Sequence, residues 1–217
     1  MSDCCTPGSA RYERVFDERF AHDRAQRYRR HGLTSIEHPI VDRLASMGLV
    51  DRTVLEIGGG VGEIQLELLA RGAAATTNLE LSGAYEPDAR ALLAERGLAD
   101  RATRHVGLDL AANAHRIDTA DYVVLHRVVC CYPDPQRLLG AAAAHARRAV
   151  VFSHPPRTWF TLATVGLDNA WMRARGRDYR GYVHSPEAMY GVLRRAGFEL
   201  HRLRAGPRWW VVAATRT

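Results

Sequence analysis

The chain has 217 residues, 47% of them hydrophobic and 25% charged, with a formal net charge of +6; that length suits one α/β domain that buries its core without disulfide staples. All 30 basic residues are arginine, so chemistry on a lysine amine is excluded, and the positive balance does not by itself separate an anionic small molecule from nucleic acid as a partner. There is no apolar run of about 18 residues and no basic-then-apolar leader, which makes a cytoplasmic protein without a membrane span the expectation.

Residues 1–10 read as a disordered tail. Residues 11–50 read as two helices that form a lid. In the first, from Arg11 to about His31, Tyr12, Phe16 and Phe20 are spaced four apart on one face, beside a basic cluster of Arg24, Arg27, Arg29 and Arg30. The second runs from about His38 to Gly48, with Pro39 suited to a first turn and Gly48 to a C-cap.

From residue 51 to residue 217 the pattern is that of a core in which strands and helices alternate. Val54 to Gly62, V-L-E-I-G-G-G-V-G, is a buried strand, a glycine turn and the start of the helix Glu63–Ala70. Strands follow at Ala75–Leu81, Thr103–Val106, Tyr122–Leu125 and Ala149–Phe152, with helices at Pro87–Arg96 and Pro135–Ala146 between them. An aromatic, arginine-rich insertion at about 154–184 reads as irregular. Helix Pro186–Ala196 and two strands, Phe198–Leu203 and Trp209–Ala214, flank the turn Ala205-Gly206-Pro207 and predict a closing antiparallel hairpin. The fold class is therefore α/β: a doubly wound sheet of seven strands, mostly parallel, with helices on both faces.

In such a sheet ligands bind beyond the carboxyl ends of the strands, so the residues just after each strand are the candidates. These are Glu56 with Gly58, Gly59, Gly60 and Gly62, then Glu80, Asp109, His126 to Cys131, and Ser153-His154. A carboxylate at Glu56 serves a pyrophosphate poorly and suits a ligand with hydroxyls or positive charge. Glu80 lies about twenty residues beyond the loop, where an acid accepts ribose hydroxyls in nucleoside-binding folds.

Together the E-I-G-G-G-V-G run, Glu80-Leu81-Ser82, Gly107-Leu108-Asp109 and the closing hairpin resemble the class I S-adenosylmethionine-dependent methyltransferases, over about Val41 to Thr217. The likeness to quinone-biosynthesis and magnesium-protoporphyrin methyltransferases is loose. It implies a Rossmann-like core and S-adenosyl-L-methionine as the methyl donor, leaving as S-adenosyl-L-homocysteine. The glycines 58, 60 and 62 then pass beneath its methionine part, beside Glu56; Glu80 meets the ribose, Asp109 the adenine amine, and Leu81 and Leu108 flank the ring. An all-glycine centre, with Gly59 where many relatives carry a small or cysteine residue, is a departure.

His126, at the end of strand four, is the candidate base, with His154 as its neighbour and second candidate. Tyr12, Phe16, Arg127, Cys130, Cys131, His154 and Trp159 are the candidates for contact with a small-molecule substrate, and Phe160, Trp171, Tyr179 and Tyr182 for pocket walls. The Asn/Asp/Ser-Pro-Pro-aromatic motif of base-amine methylation is missing after strand four, which argues against nucleic acid. Four cysteines in two adjacent pairs, Cys4–Cys5 and Cys130–Cys131, lack zinc spacing, so no metal is expected. The alternatives are methylation of a thiol or thiol-bound metalloid through Cys130 and Cys131, or a metal- or cofactor-binding protein without turnover.

Overall fold

The computed structural model describes Tyr12 and residues 15–217; the readings of the tail, of Cys4–Cys5 and of the first helix before residue 15 otherwise lie outside these residues. Seven strands build one sheet: β1 (Thr53–Ile57), β2 (Ala75–Glu80), β3 (Ala102–Val106), β4 (Ala120–Leu125), β5 (Ala146–His154), β6 (Phe198–Ala205) and β7 (Trp210–Arg216). Their spatial order is β3-β2-β1-β4-β5-β7-β6. The first five are parallel, and β7 runs antiparallel between β5 and β6. The order reverses between β1 and β4, and a crevice opens there beyond the strand ends.

The helices are α1 (Glu18–His31), α2 (Glu37–Ser46), α3 (Glu63–Ala70), α4 (Glu86–Glu95), α5 (Leu110–Asn113), α6 (Pro135–His145), α7 (Trp159–Ala174) and α8 (Pro186–Arg195). The central strands are apolar on both sides because both sides are covered. Val54, Tyr122, Val124 and Val151 pack with α1 to α4, while Leu55, Val123, Leu125 and Phe152 pack with α6 and α8. Glu56 shares the side of Val54, which brings it under α3.

Two elements differ from the sequence reading. The first is the start of α1: Val15 and Phe16 form a turn, and Asp17 caps the helix by accepting from the Phe20 backbone N–H at 2.9 Å. That break takes Tyr12 and Phe16 off the helix line of Phe20 and aims them at the crevice. The second is the insertion, where β5 continues to His154 and the supposedly irregular stretch contains α7, capped by Thr158. Among its residues only Thr161 is buried, and Trp159, Phe160, Leu167 and Trp171 are exposed. A helix that lays no stripe on the core has no 3.6-residue hydrophobic period to read. After α7 the chain is drawn back by Asn169, whose side chain exchanges two hydrogen bonds of 2.8 Å with the Gly181 backbone. No helix among the described residues is long and apolar enough to cross a membrane.

Candidate active site

The glycine turn after β1 has to be glycine. Gly58 has φ of 64°, and a Cβ there would stand 2.5 Å from Val128 Cγ2. At Gly59 a Cβ would overlap the Glu56 carboxyl and the Asn78 amide, so no side chain has room at that position. The turn lets backbone amides face the crevice ahead of α3. Glu80 accepts from the Gly60 N–H at 2.9 Å and from the Ser82 N–H at 3.0 Å, which ties β2 to the turn. Asp109 caps α5 through the Ala111 N–H and accepts from the Tyr132 hydroxyl, both at 2.9 Å.

Asn78 Nδ2 donates to Glu56 at 3.1 Å, yet burial, reinforced by Glu63, pushes the Glu56 pKa up to about 8. A carboxyl raised in the fold binds its proton more tightly there than in the unfolded chain, so it stabilises below the unfolded value of 4.5 and that stability is lost as pH rises towards 8. Glu56→Gln is therefore expected to melt several degrees above wild type at pH 8.5 without ligand, and the gap should close near pH 4.5. Thermal unfolding across that range checks it; a gap independent of pH would refute the assignment.

A cavity of about 310 Å³ joins the strand ends. Glu56, Gly58, Gly59, Gly60, Glu80, Leu81, Leu108, Asp109 and His126 line it, as do Tyr12, Phe16, Arg127, Cys130 and Cys131. Gly62 does not; it is the left-handed N-cap of α3. The roof is aromatic. Phe16 meets Tyr179 edge to face at 5.6 Å between centroids and stacks on Tyr12 at 6.4 Å, and the Tyr12 hydroxyl donates to the Cys131 carbonyl at 2.9 Å. Cys131 Sγ lies 3.0 Å from the Tyr179 hydroxyl and 3.7 Å from Cys130 Sγ. No group of three or more His, Cys, Asp or Glu side chains that could hold a metal ion occurs among the described residues.

Two expectations place residues elsewhere. His154 is fully buried behind the cavity wall, with Nε2 2.8 Å from the Tyr190 hydroxyl and Nδ1 2.9 Å from the Pro155 carbonyl. Both ring nitrogens are engaged, and His154 does not line the cavity beside His126. Trp159 is 81% exposed and outside the cavity, because α7 projects away from it.

Other residues were not singled out from the sequence as site residues. Arg24 of α1 reaches Glu63 Oε1 at 2.9 Å and Glu37 Oε1 at 3.3 Å, and Arg27 reaches the same two acids at 3.5 and 3.7 Å. This network clamps α1 and α2 onto the start of α3. The basic cluster was visible in the sequence, but its acidic partners are separated from it along the chain and carried no motif. Tyr132 and Trp209 also line the cavity from segments without periodicity, alongside Tyr179, already a candidate pocket wall from the sequence.

A family profile described as a methyltransferase domain matches residues 20–203. The chain belongs to the class I methyltransferases. No curated protein matches this methyltransferase significantly. Among solved structures, it is similar to magnesium protoporphyrin IX methyltransferase of Synechocystis with bound S-adenosylhomocysteine, at 20% identity and TM-score 0.66, over 96% of this chain and 93% of that one. An O-methyltransferase family protein from Burkholderia thailandensis matches at 21% identity and TM-score 0.68, over 94% of this chain and 64% of that one. An O-methyltransferase family 2 protein of Planctomyces limnophilus, in complex with apigenin, matches at 16% identity and TM-score 0.65, over 92% and 62%. The residues fit S-adenosylmethionine as methyl donor: acids at three adjacent strand ends face one cavity, and the glycine turn beside it has no room for a Cβ at Gly58, against Val128, or at Gly59, against Glu56 and Asn78.

Proposed function

We propose that this enzyme methylates a small molecule held under the aromatic roof, by in-line displacement from a donor lying along the ends of β1 to β3. The observation that carries this reading is continuity: one cavity runs from Glu80 and Asp109 to Tyr12, Phe16 and Arg127. In this arrangement Glu80 takes the ribose hydroxyls, Asp109 the adenine amine, Leu81 and Leu108 the ring faces, and Glu56 the donor's amino group. The donor supplies a methyl already activated on a sulfonium, and the protein's task is to hold the acceptor in line with it. Residues 11–50 act as the lid and 51–217 as the core, with the insertion at about 154–184 adding Tyr179 to the roof. The lack of a base-amine motif and the enclosed aromatic mouth favour a small molecule over nucleic acid, and a cytoplasmic site of action accords with free thiols.

His126 stands at the methyl end but is a poor base. Burial, opposed by Glu37 and reinforced by Arg127 and Arg24, pushes its pKa down to about 3. The Arg127 backbone N–H donates to Ser153 Oγ at 2.9 Å, and Ser153 Oγ lies 3.0 Å from His126 Nδ1; in the tautomer proposed here the Ser153 hydroxyl donates to Nδ1 and the ring proton sits on Nε2. We assign His126 as a hydrogen-bond donor to the acceptor. Thiol or metalloid methylation is less favoured, because Cys131 is engaged by Tyr179 and the paired sulfurs find no third ligand among the described residues.

Calorimetry with S-adenosylhomocysteine tests the donor site, and a labelled-methyl screen of phenols, carboxylic acids, quinones and thiols tests the acceptor class. Failure of wild-type protein to bind S-adenosylhomocysteine would sink the reading.

A further inference from the structure

We propose that the methyl acceptor enters as an anion with its charge on oxygen, gripped between the Arg127 guanidinium and the Nε2–H of His126, so that transfer needs no general base. This rests on the reading of the cavity as a methyl-transfer site and names the chemistry of its acceptor.

Arg127 is built for a ligand that the chain itself does not provide. It adopts φ of 58°, a left-handed conformation that costs a non-glycine residue on the order of 1–3 kcal/mol and that clusters at functional sites. Its backbone is fixed there by the bond to Ser153. The strain turns its side chain towards the cavity, where the guanidinium lies 5.0 Å above the Trp209 ring centroid. Stacking on an aromatic face holds the guanidinium while leaving its N–H edge for a planar acid. Nε is buried without a hydrogen-bond partner, and the group makes no ion pair among the described residues. Arg24 and Arg27, by contrast, share Glu37 and Glu63. Two guanidiniums against two carboxylates leave Arg127 as a cation without a carboxylate partner among the described residues.

The second orphan stands next to it. His126 Nε2 is buried with no hydrogen-bond partner, and the nearest acid, Glu37 Oε1, is 3.6 Å away. That acid is already occupied by the Thr34 N–H at 2.6 Å and by the two arginines. A buried N–H without an acceptor is costly, and an entering anionic oxygen satisfies it together with Arg127. The adjacent walls, Tyr12, Phe16 and Tyr179, are aromatic and suit a planar ring on the acid.

The chemistry balances without a proton. The anionic oxygen forms the new O–C bond as the methyl carbon–sulfur bond breaks, its electron pair passing to sulfur. A carboxylate becomes a methyl ester, a phenolate becomes a methyl ether, and S-adenosylhomocysteine leaves neutral at sulfur. Charge is annihilated between acceptor and donor, so the site has only to desolvate and align an ion that arrives already deprotonated.

The test is calorimetry on the protein saturated with S-adenosylhomocysteine, using 2-naphthoate, 2-naphthol and 2-naphthamide as probes at pH 7 and at pH 9.5. Expected is binding of 2-naphthoate at both pH values at least tenfold tighter than the amide if the site takes a carboxylate; a 2-naphthol that binds well only at pH 9.5 identifies a phenolate site instead. Arg127→Met should abolish the preference for the anion, and Arg127→Lys should retain part of it, while both bind S-adenosylhomocysteine within about threefold of wild type, which also reports that they fold. Equal binding of acid and amide, no binding of either anion to a wild-type complex, or a preference that survives in Arg127→Met overturns the proposal. So does a large loss of S-adenosylhomocysteine affinity in Arg127→Met, which would assign the guanidinium to the donor's carboxylate. None of these outcomes is confused with failure of the donor reading, in which wild-type protein would not bind S-adenosylhomocysteine at all.

Discussion

Glu80→Ala is expected to weaken binding of S-adenosylhomocysteine roughly hundredfold, a loss of about 3 kcal/mol. The carboxylate is buried at the end of β2, and each of its oxygens already accepts one backbone N–H, from Gly60 and from Ser82. A carboxylate has about four acceptor positions, so two remain for the two ribose hydroxyls. Alanine removes those acceptors, and it also leaves the Gly60 and Ser82 amides without partners beside the glycine turn. The turn loses the strut that sets its distance from β2, so part of the effect comes through misplaced backbone and not through the missing ribose contacts. Glu80→Gln separates the two: its single oxygen can serve only one amide, and its NH2 group faces the other donor, so affinity should fall between wild type and alanine. Calorimetry on proteins whose unfolding midpoints have been compared gives the answer. A dissociation constant within threefold of wild type for Glu80→Ala would remove the acid from the donor site.

Glu80 was legible in the chain because it ends an apolar run at a fixed interval after a glycine turn, and both signals are local. The same holds for Glu56 and for Asp109, which stands two residues after Gly107 and caps the helix that follows. The sheet was equally readable, since strands buried on both faces leave continuous apolar runs and the final hairpin is punctuated by glycine and proline. What escaped was information held between distant segments. His154 follows a strand just as His126 does, yet β5 continues to His154 and β7 pairs alongside it, which seals the ring among Phe152, Tyr190 and Trp210. Position after a strand selects candidates, and pairing by a neighbouring strand decides which of them reach the cavity. The role proposed for His126, a hydrogen-bond donor in place of a base, rests on equally distant contacts: burial beneath α2 pushes its pKa down, and Ser153 on the adjacent strand lies beside Nδ1. Arg127 was picked out as a substrate contact, but nothing in the order of residues indicates its left-handed backbone or that Trp209, from the hairpin, lies under it.

Arg104→Met should lower stability by about 3–5 kcal/mol, the cost typical of breaking a buried ion pair from one side. Arg104 stands on β3 with its side chain only 5% exposed. Its guanidinium donates to Glu86 Oε1 of α4 at 2.7 Å, to the Gly60 carbonyl at 2.7 Å and to Gln65 Oε1 of α3 at 3.3 Å. One side chain thus ties the edge strand β3 to two helices and to the proposed donor-binding turn. Methionine preserves most of the apolar stem, so the loss belongs to the guanidinium and not to a cavity. It strands the Gly60 carbonyl and leaves the Glu86 carboxylate, among the described residues, with only the exposed Arg90 as a partner. Against a total stability of about 5–15 kcal/mol this is a large fraction, read as a fall in melting temperature on the order of 10 °C. The double variant Arg104→Met with Glu86→Gln should recover part of that fall, because the stranded charge is then gone while the turn remains untied. S-adenosylhomocysteine affinity should stay reduced in both, since the Gly60 carbonyl is unpaired in each. A fall below about 3 °C, or a double variant less stable than Arg104→Met alone, would show that Arg104 is not the brace that holds the glycine turn in place.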